Sequence, residues 1–264
     1  MEFANYQKLL FRRDGGVLNV SFNRPEQMNA FGEIMGPEVA RFFDEVAHDD
    51  ATRVVVLSGA GKAFSAGGDI EGMQRGVDDP TEFDKVSKRS MRIVFSMLRC
   101  PKPLIAKING AATGLGCSVA LLCDVTIAAA HAKIGDPHVK VGLVAGDGGA
   151  LLWPQLVGFA RAKQYLFTGD LMSAVEAERI GLINQCVAAE ELDATVDALA
   201  QRLARGPSKA IEYSKAAVNV HLLQLAQLVM PSAIALEDLS ARSVDHAEAV
   251  RAFIEKRPPV FTGT

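Results

Sequence analysis

The feature that most limits how this chain can fold is a stretch of small residues between two apolar segments, Asn109-Gly-Ala-Ala-Thr-Gly-Leu-Gly-Cys-Ser118. Ahead of it runs Leu104-Ile-Ala-Lys-Ile108, which has strand character. Behind it Val119-Ala-Leu-Leu-Cys123 continues as a short apolar helix. Glycine at 110, 114 and 116 lets bare backbone pack closely or approach a ligand. The start of the helix leaves N–H groups without intrahelical acceptors, and these suit a developing negative charge. A second junction of the same kind, Ala63-Phe-Ser-Ala-Gly-Gly-Asp-Ile70, follows the strand-like Arg53-Val-Val-Val-Leu-Ser58 and includes Asp69, a residue suited to capping a helix. Glycines between a strand and a helix commonly serve packing alone. Two such junctions together supply what an oxyanion hole of two separate backbone N–H groups requires.

Around these junctions strands and helices alternate. Val17-Leu-Asn-Val-Ser-Phe22 reads as a strand ended by Arg24-Pro25, and residues 34–47 set Val39, Phe42, Phe43 and Val46 at helical spacing. Residues 71–83 are polar, with Gly72, Gly76 and Pro80, and read as a mobile segment ahead of a helix from Phe83 to Leu98. Asp124 to Ala128 and Ala132 to Ile134 are extended. This alternation predicts an α/β fold. From about residue 190 the pattern becomes helical, with breaks expected at Gly206-Pro207 and Pro231. The expected division is a core over residues 1–200 and a helical region over 201–264.

Half the residues are apolar and the formal net charge is −3, which does not suit a nucleic-acid partner. No apolar run approaches the roughly 18 residues of a membrane span, and the first residues lack signal-peptide character, so no membrane partner and a cytoplasmic location are expected. Cys100, Cys117, Cys123 and Cys186 have no metal-binding spacing and read as reduced core thiols. Gly59-Ala-Gly-Lys62 lacks the first glycine and the hydroxyl of a phosphate loop, and Gly114-x-Gly116 runs on to Val119 rather than completing a dinucleotide fingerprint. Neither a redox cofactor nor a metal is implied.

The pair Ser65-Ala-Gly-Gly-Asp-Ile70 and Asn109-Gly-x-x-x-Gly-x-Gly-Cys117 resembles the crotonase superfamily, the enoyl-CoA hydratases and isomerases. So do Asn23-Arg-Pro-Glu-Gln-Met-Asn-Ala30, Gly135-Asp-Pro137, Gly146-Asp-Gly-Gly149, Ala174-Val-Glu-Ala-Glu-Arg-Ile-Gly-Leu182 and Phe253-Ile-Glu-Lys-Arg257, in that order along nearly the whole chain. The resemblance implies a crotonase-like spiral of ββα units with a C-terminal helical trimerisation region, assembled as a homotrimer or a dimer of trimers. It places the two oxyanion N–H groups on Gly68 and Leu115, where only the backbone of Leu115 is needed. It also places contacts to the coenzyme A part of an acyl-CoA substrate near Met28, Ala30, Ala66 and Gly68, with no prosthetic group.

The resemblance also locates two departures. Hydratases of this family carry glutamates two residues after the last glycine of the central turn and directly after Gly-x-Pro; here those positions hold Ser118 and His138. A histidine with an ordinary pKa near ~6.5 suits proton transfer at neutral pH. Asp147, in a loop where dienoyl-CoA isomerase and chlorobenzoyl-CoA dehalogenase look similar, is placed to orient it, with Ser118 as a hydrogen-bond donor. Asp69 is read as a cap rather than a catalytic group. Three functions stay open on this reading: hydration or double-bond chemistry of a 2-enoyl-CoA, hydrolytic C–C cleavage of a β-dicarbonyl compound as in relatives similar to 6-oxocamphor hydrolase, and binding of acyl-CoA without chemistry.

Overall fold

Short runs of aliphatic residues, each too brief for a helix, make the framework. In the computed structural model, which describes residues 3–264, Leu9–Asp14 (β1) and Val17–Phe22 (β2) form an antiparallel hairpin. Met35–Val46 (α1), Val54–Gly59 (β3), Ala63–Ser65 (β4), Ile70–Asp78 (α2) and Pro80–Arg99 (α3) follow. Next come Leu104–Ile108 (β5), Ala111–Thr113 (β6), Leu115–Leu121 (α4), Val125–Ala129 (β7) and Lys133–Gly135 (β8). The rest adds Gly149–Val157 (α5), Phe159–Thr168 (α6), Met172–Ser173 (β9), Ala174–Arg179 (α7), Gln185–Val187 (β10), Leu192–Ala204 (α8), Ser208–Ala241 (α9) and Val244–Ile254 (α10).

From β3 to β8, successive strands go alternately to two sheets, ordered β1-β2-β3-β5-β7-β10 and β4-β6-β8-β9. Apart from the β1–β2 and β8–β9 pairs, the ladders are parallel. The chain therefore lays one strand in each sheet before each return helix, the ββα spiral expected from the sequence. Because β4 and β6 pair in parallel, the two glycine junctions leave the small sheet side by side. The middle strands of the large sheet, β3, β5 and β7, are buried on both faces and read as largely apolar runs. Val55 and Leu57 join the main core with Phe42, Phe43 and Met97, while Val54 and Val56 face Leu192, Val196 and Ala200 of α8.

Three local expectations change. Residues 71–83 are helical: Asp69 caps α2 by accepting from Gly72 N at 2.6 Å, and Asp79 caps α3 by accepting from Thr81 N at 2.9 Å. The caps outweigh the low helix propensity of Gly72 and Gly76. Pro231 does not break α9; it is exposed, while Met230, Ala233 and Ile234 beside it are buried and hold the helix on course. The third concerns membrane-length apolar segments. Helix α9 is long and apolar enough by length and composition to cross a membrane, with a mean hydropathy of 1.3 in its most apolar stretch. It nevertheless buries Glu212, Asn219 and Glu237 against the rest of the chain. The division expected at residue 200 falls inside α8, which covers one face of the large sheet.

Candidate active site

The loop after β4 is fixed from below. Asn29, fully buried, donates through Nδ2 to the carbonyls of Ala60 at 2.9 Å and Ala63 at 2.8 Å and accepts from Arg24 N at 2.9 Å. Ser65 Oγ donates to the Asn29 carbonyl at 2.7 Å. Asp69 is engaged twice, as the cap of α2 and in an ion pair with Arg24 Nη1 at 2.6 Å, which supports the capping role read from sequence.

The two junctions touch at their glycines. Gly67 has φ +87°, and a Cβ there would stand 2.6 Å from the Thr113 carbonyl and 3.3 Å from Leu115 N. Gly114, at φ 54° and ψ −129°, turns the chain into α4 in a conformation closed to residues with a side chain. Among the described residues, the N–H groups of Gly68 and Leu115 have no acceptor within the chain, and both residues line one inner cavity.

His138 stands over this point: a Cβ on Gly114 would lie 3.4 Å from His138 Cε1. His138 begins a short 3-10 turn, His138–Val141, and the buried His246 steadies that turn by donating from Nδ1 to the Val141 carbonyl at 2.6 Å. His138 is brought together with Asp147 as expected, Nε2 to Oδ2 at 3.3 Å, and Ser118 Oγ donates to Asp147 Oδ1 at 3.2 Å. Its closer partner was not expected. Nδ1 bonds to Asp136, whose side chain is shut off from solvent behind the ring.

Burial alone would lower the His138 pKa, but the carboxylates of Asp136 and Asp147 outweigh it and hold the pKa well above the ordinary value, so the imidazolium persists at neutral pH. Asp136, His138 and Asp147 lie close enough to suggest a metal centre. The two carboxylates, however, each contact a different nitrogen of the one ring, so both ring nitrogens already have partners within the chain. Each carboxylate faces a ring nitrogen that carries an N–H in the imidazolium.

A fourth group comes from α9. Glu237 is buried, its Oε2 lies 2.6 Å from where a Cβ on Gly146 would sit, and it lines the inner cavity with His138 and Asp147. Burial, then the nearby Asp147 and Asp136 carboxylates, push its pKa up to about 8 against the opposing effect of His138. It is therefore a neutral acid at pH 7. Sequence reasoning missed it because its only local signal was a place on the buried side of a helix, 90 residues from Asp147.

Outward from the inner cavity, and sharing Gly68, Asp69, Met73 and His138 with it, opens a larger cavity of about 590 Å³. Met28, Ala30 and Ala66 line it as expected, together with Ala249, Phe253 and Arg257 of the C-terminal segment. Ala66 N–H already donates to the Met28 carbonyl at 2.9 Å, and Ala30 N–H donates to the Gln27 carbonyl at 3.0 Å. These positions therefore offer walls and carbonyl groups rather than free donors.

Comparison with known proteins agrees with the architecture. The family model described as enoyl-CoA hydratase/isomerase matches residues 12–264. The crotonyl-CoA hydratase of Syntrophomonas wolfei is 35% identical over 258 residues, covering 97% of this chain and 98% of that protein. The 1,2-epoxyphenylacetyl-CoA isomerase of Escherichia coli is 35% identical over 259 residues with the same coverage. The crystal structure of an enoyl-CoA hydratase/isomerase from Mycobacterium paratuberculosis superposes with a TM-score of 0.89 at 34% identity, covering 94% of this chain and 99% of that one. Two interleaved sheets, paired glycine junctions and relatives matched end to end lead to one conclusion: the chain belongs to the enoyl-CoA hydratase/isomerase family.

Proposed function

We propose that this protein binds an acyl thioester of coenzyme A, holds the thioester carbonyl on the N–H groups of Gly68 and Leu115, and moves protons at the resulting enolate through His138, Asp147 and Glu237. The observation that carries this reading is the shared inner cavity: among the described residues, two N–H groups without acceptors, from different loops, line it together with His138, Asp147 and Glu237. Such donors stabilise charge developing on an oxygen, and loss of one typically costs about 3 kcal/mol in the transition state.

The proton inventory is consistent with acid–base work on a 2-enoyl thioester. Near neutral pH the raised pKa values of His138 and Glu237 keep a proton on each, beside Asp136 and Asp147. Asp147, fixed by Ser118, is the group at the cavity edge that takes a proton from water or substrate; Glu237 is the group that gives one back. Asp136 positions the ring from behind. The pantetheine arm occupies the outer cavity past Met28, Ala30 and Ala66, and coenzyme A enters only as part of the substrate. Exposed Phe159, Phe167, Leu228 and Leu239 are consistent with a homotrimer or dimer of trimers.

A second reading is hydrolytic C–C cleavage of a β-dicarbonyl compound. It is favoured by the clamping of His138 between two carboxylates, because the imidazolium supplies a proton to the departing enolate carbon while Asp147 takes one from the attacking water. A panel of enoyl and β-keto thioesters and cyclic diketones, followed by mass spectrometry, distinguishes the two, because hydration, isomerisation and cleavage give products of different mass. Turnover of a thioester that is abolished by His138→Gln, with binding retained, is the expected result. A protein that binds thioesters and changes none of the panel would refute both enzymatic readings.

A further inference from the structure

The inner cavity carries five charged side chains that the chemistry above does not use, Glu33, Asp69, Arg75, Glu82 and Arg89, and the first four are each held in an ion pair. Arg89, on α3, lines its wall together with Phe83 and Val86. Its stem crosses Gly36 of α1, where a Cβ would come within 2.4 Å of Arg89 Cδ, so a missing side chain on one helix makes room for a long one on the other. The half-buried guanidinium donates to the Gly32 carbonyl, Nη1 to O, at 3.3 Å.

The carboxylates near enough to influence Arg89 are Glu33, Glu82 and Asp69, and each holds another cation. Asp69 pairs with Arg24 at 2.6 Å, Glu33 with Arg75 at 3.2 Å, and Glu82 with Lys85. Among the described residues, Arg89 is left with no carboxylate at ion-pairing distance, and burial depresses its pKa. A guanidinium partly removed from water and short of counter-charge is costly unless an anion reaches it, and its planar fork matches a carboxylate.

We propose that Arg89 recognises a carboxylate at the far end of a short acyl group, so that the substrate class is a carboxyl-terminated acyl thioester. This inference rests on the reading that the thioester carbonyl lies against Gly68 and Leu115, at the same cavity. A purely hydrocarbon acyl end would desolvate the guanidinium further without pairing it.

The test compares binding of glutaryl-CoA and valeryl-CoA, saturated thioesters of equal chain length, by calorimetry at constant ionic strength with wild type, Arg89→Gln and Arg89→Lys. Wild type is expected to bind the carboxyl-terminated ligand about tenfold or more tightly than the neutral one. Arg89→Gln removes that preference while keeping valeryl-CoA affinity within about twofold, and Arg89→Lys retains part of it. Equal affinity of wild type for both ligands, or equal weakening of both by Arg89→Gln, overturns the role of Arg89 and leaves the thioester reading standing. If wild type binds neither ligand, the thioester reading falls and this inference falls with it.

Discussion

Glu237→Gln separates a buried neutral acid from an ordinary ionised surface glutamate, because the replacement keeps the shape and fixes the side chain in the uncharged state. In an unfolded chain Glu237 titrates near 4.5, whereas in the folded protein it holds its proton up to about pH 8. A folded-state pKa raised in this way contributes stability that is complete below the unfolded value and is lost as pH rises through the folded one. Across that window, from 4.5 to about 8, the unfolded chain releases a proton that the folded chain keeps, so this single carboxyl erodes stability by about 5 kcal/mol in total. Glutamine has no such proton to lose. The two proteins are expected to agree within about 1 kcal/mol at pH 5 and to diverge steadily above it, with the variant the more stable by several kcal/mol near pH 8.5. Urea unfolding at half-unit pH steps, with protein concentration and ionic strength fixed, reads the divergence directly. Two parallel stability curves between pH 5 and 8.5 would show that the carboxyl is already ionised in the fold, and the assignment of Glu237 as the proton donor would fail.

Asp136→Asn tests the positioning of His138. Removing the negative charge at Nδ1 lowers the His138 pKa and loses the tautomer control, so kcat is expected to fall by roughly 10²- to 10⁴-fold with little change in KM. The limb of the pH–rate profile governed by His138 moves to lower pH; an unmoved limb would mean that Asp136 has no hold on the ring. Asn29→Ala strips two donors and one acceptor from the buried base of the oxyanion loop. A loss of about 2 to 4 kcal/mol in unfolding free energy is expected, since the abandoned carbonyls and the Arg24 N–H lose their partners. A change below about 0.5 kcal/mol would mean that water or relaxation replaces those bonds.

The local signals in this chain were strong. Apolar runs such as Val54 to Leu57 and Leu104 to Ile108 define the strands, Asp69 declares the start of α2, and the glycines at 67, 68, 114 and 116 mark both junctions, because each depends on residues within a turn or two of one another. His138 and Asp147 could also be named as partners, because the family resemblance pointed to both positions. Where the sequence misled, competing local rules were at work: Gly72 and Gly76 argued against a helix that Asp69 and packing enforce, and Pro231 argued for a break that buried neighbours prevent.

Charge and proton location lay beyond the sequence, because they depend on distance and burial rather than on residue type. The sequence held Asp136 in plain view, yet only the packed structure seats it behind His138 and turns a histidine of ordinary basicity into a persistent imidazolium. Glu237 and Arg89 lie on helices with no site signal in isolation; the fold carries one to Asp147 and His138 and, among the described residues, leaves the other with no carboxylate at ion-pairing distance at the same cavity. Residue order along the chain determined the strands, the helix cap at Asp69 and the two glycine junctions, since these are set by near neighbours, and the family resemblance implied the ββα spiral. Tertiary packing alone decided which side chains meet in low dielectric, and Coulomb interactions there depend on separations of a few ångströms that no linear pattern encodes.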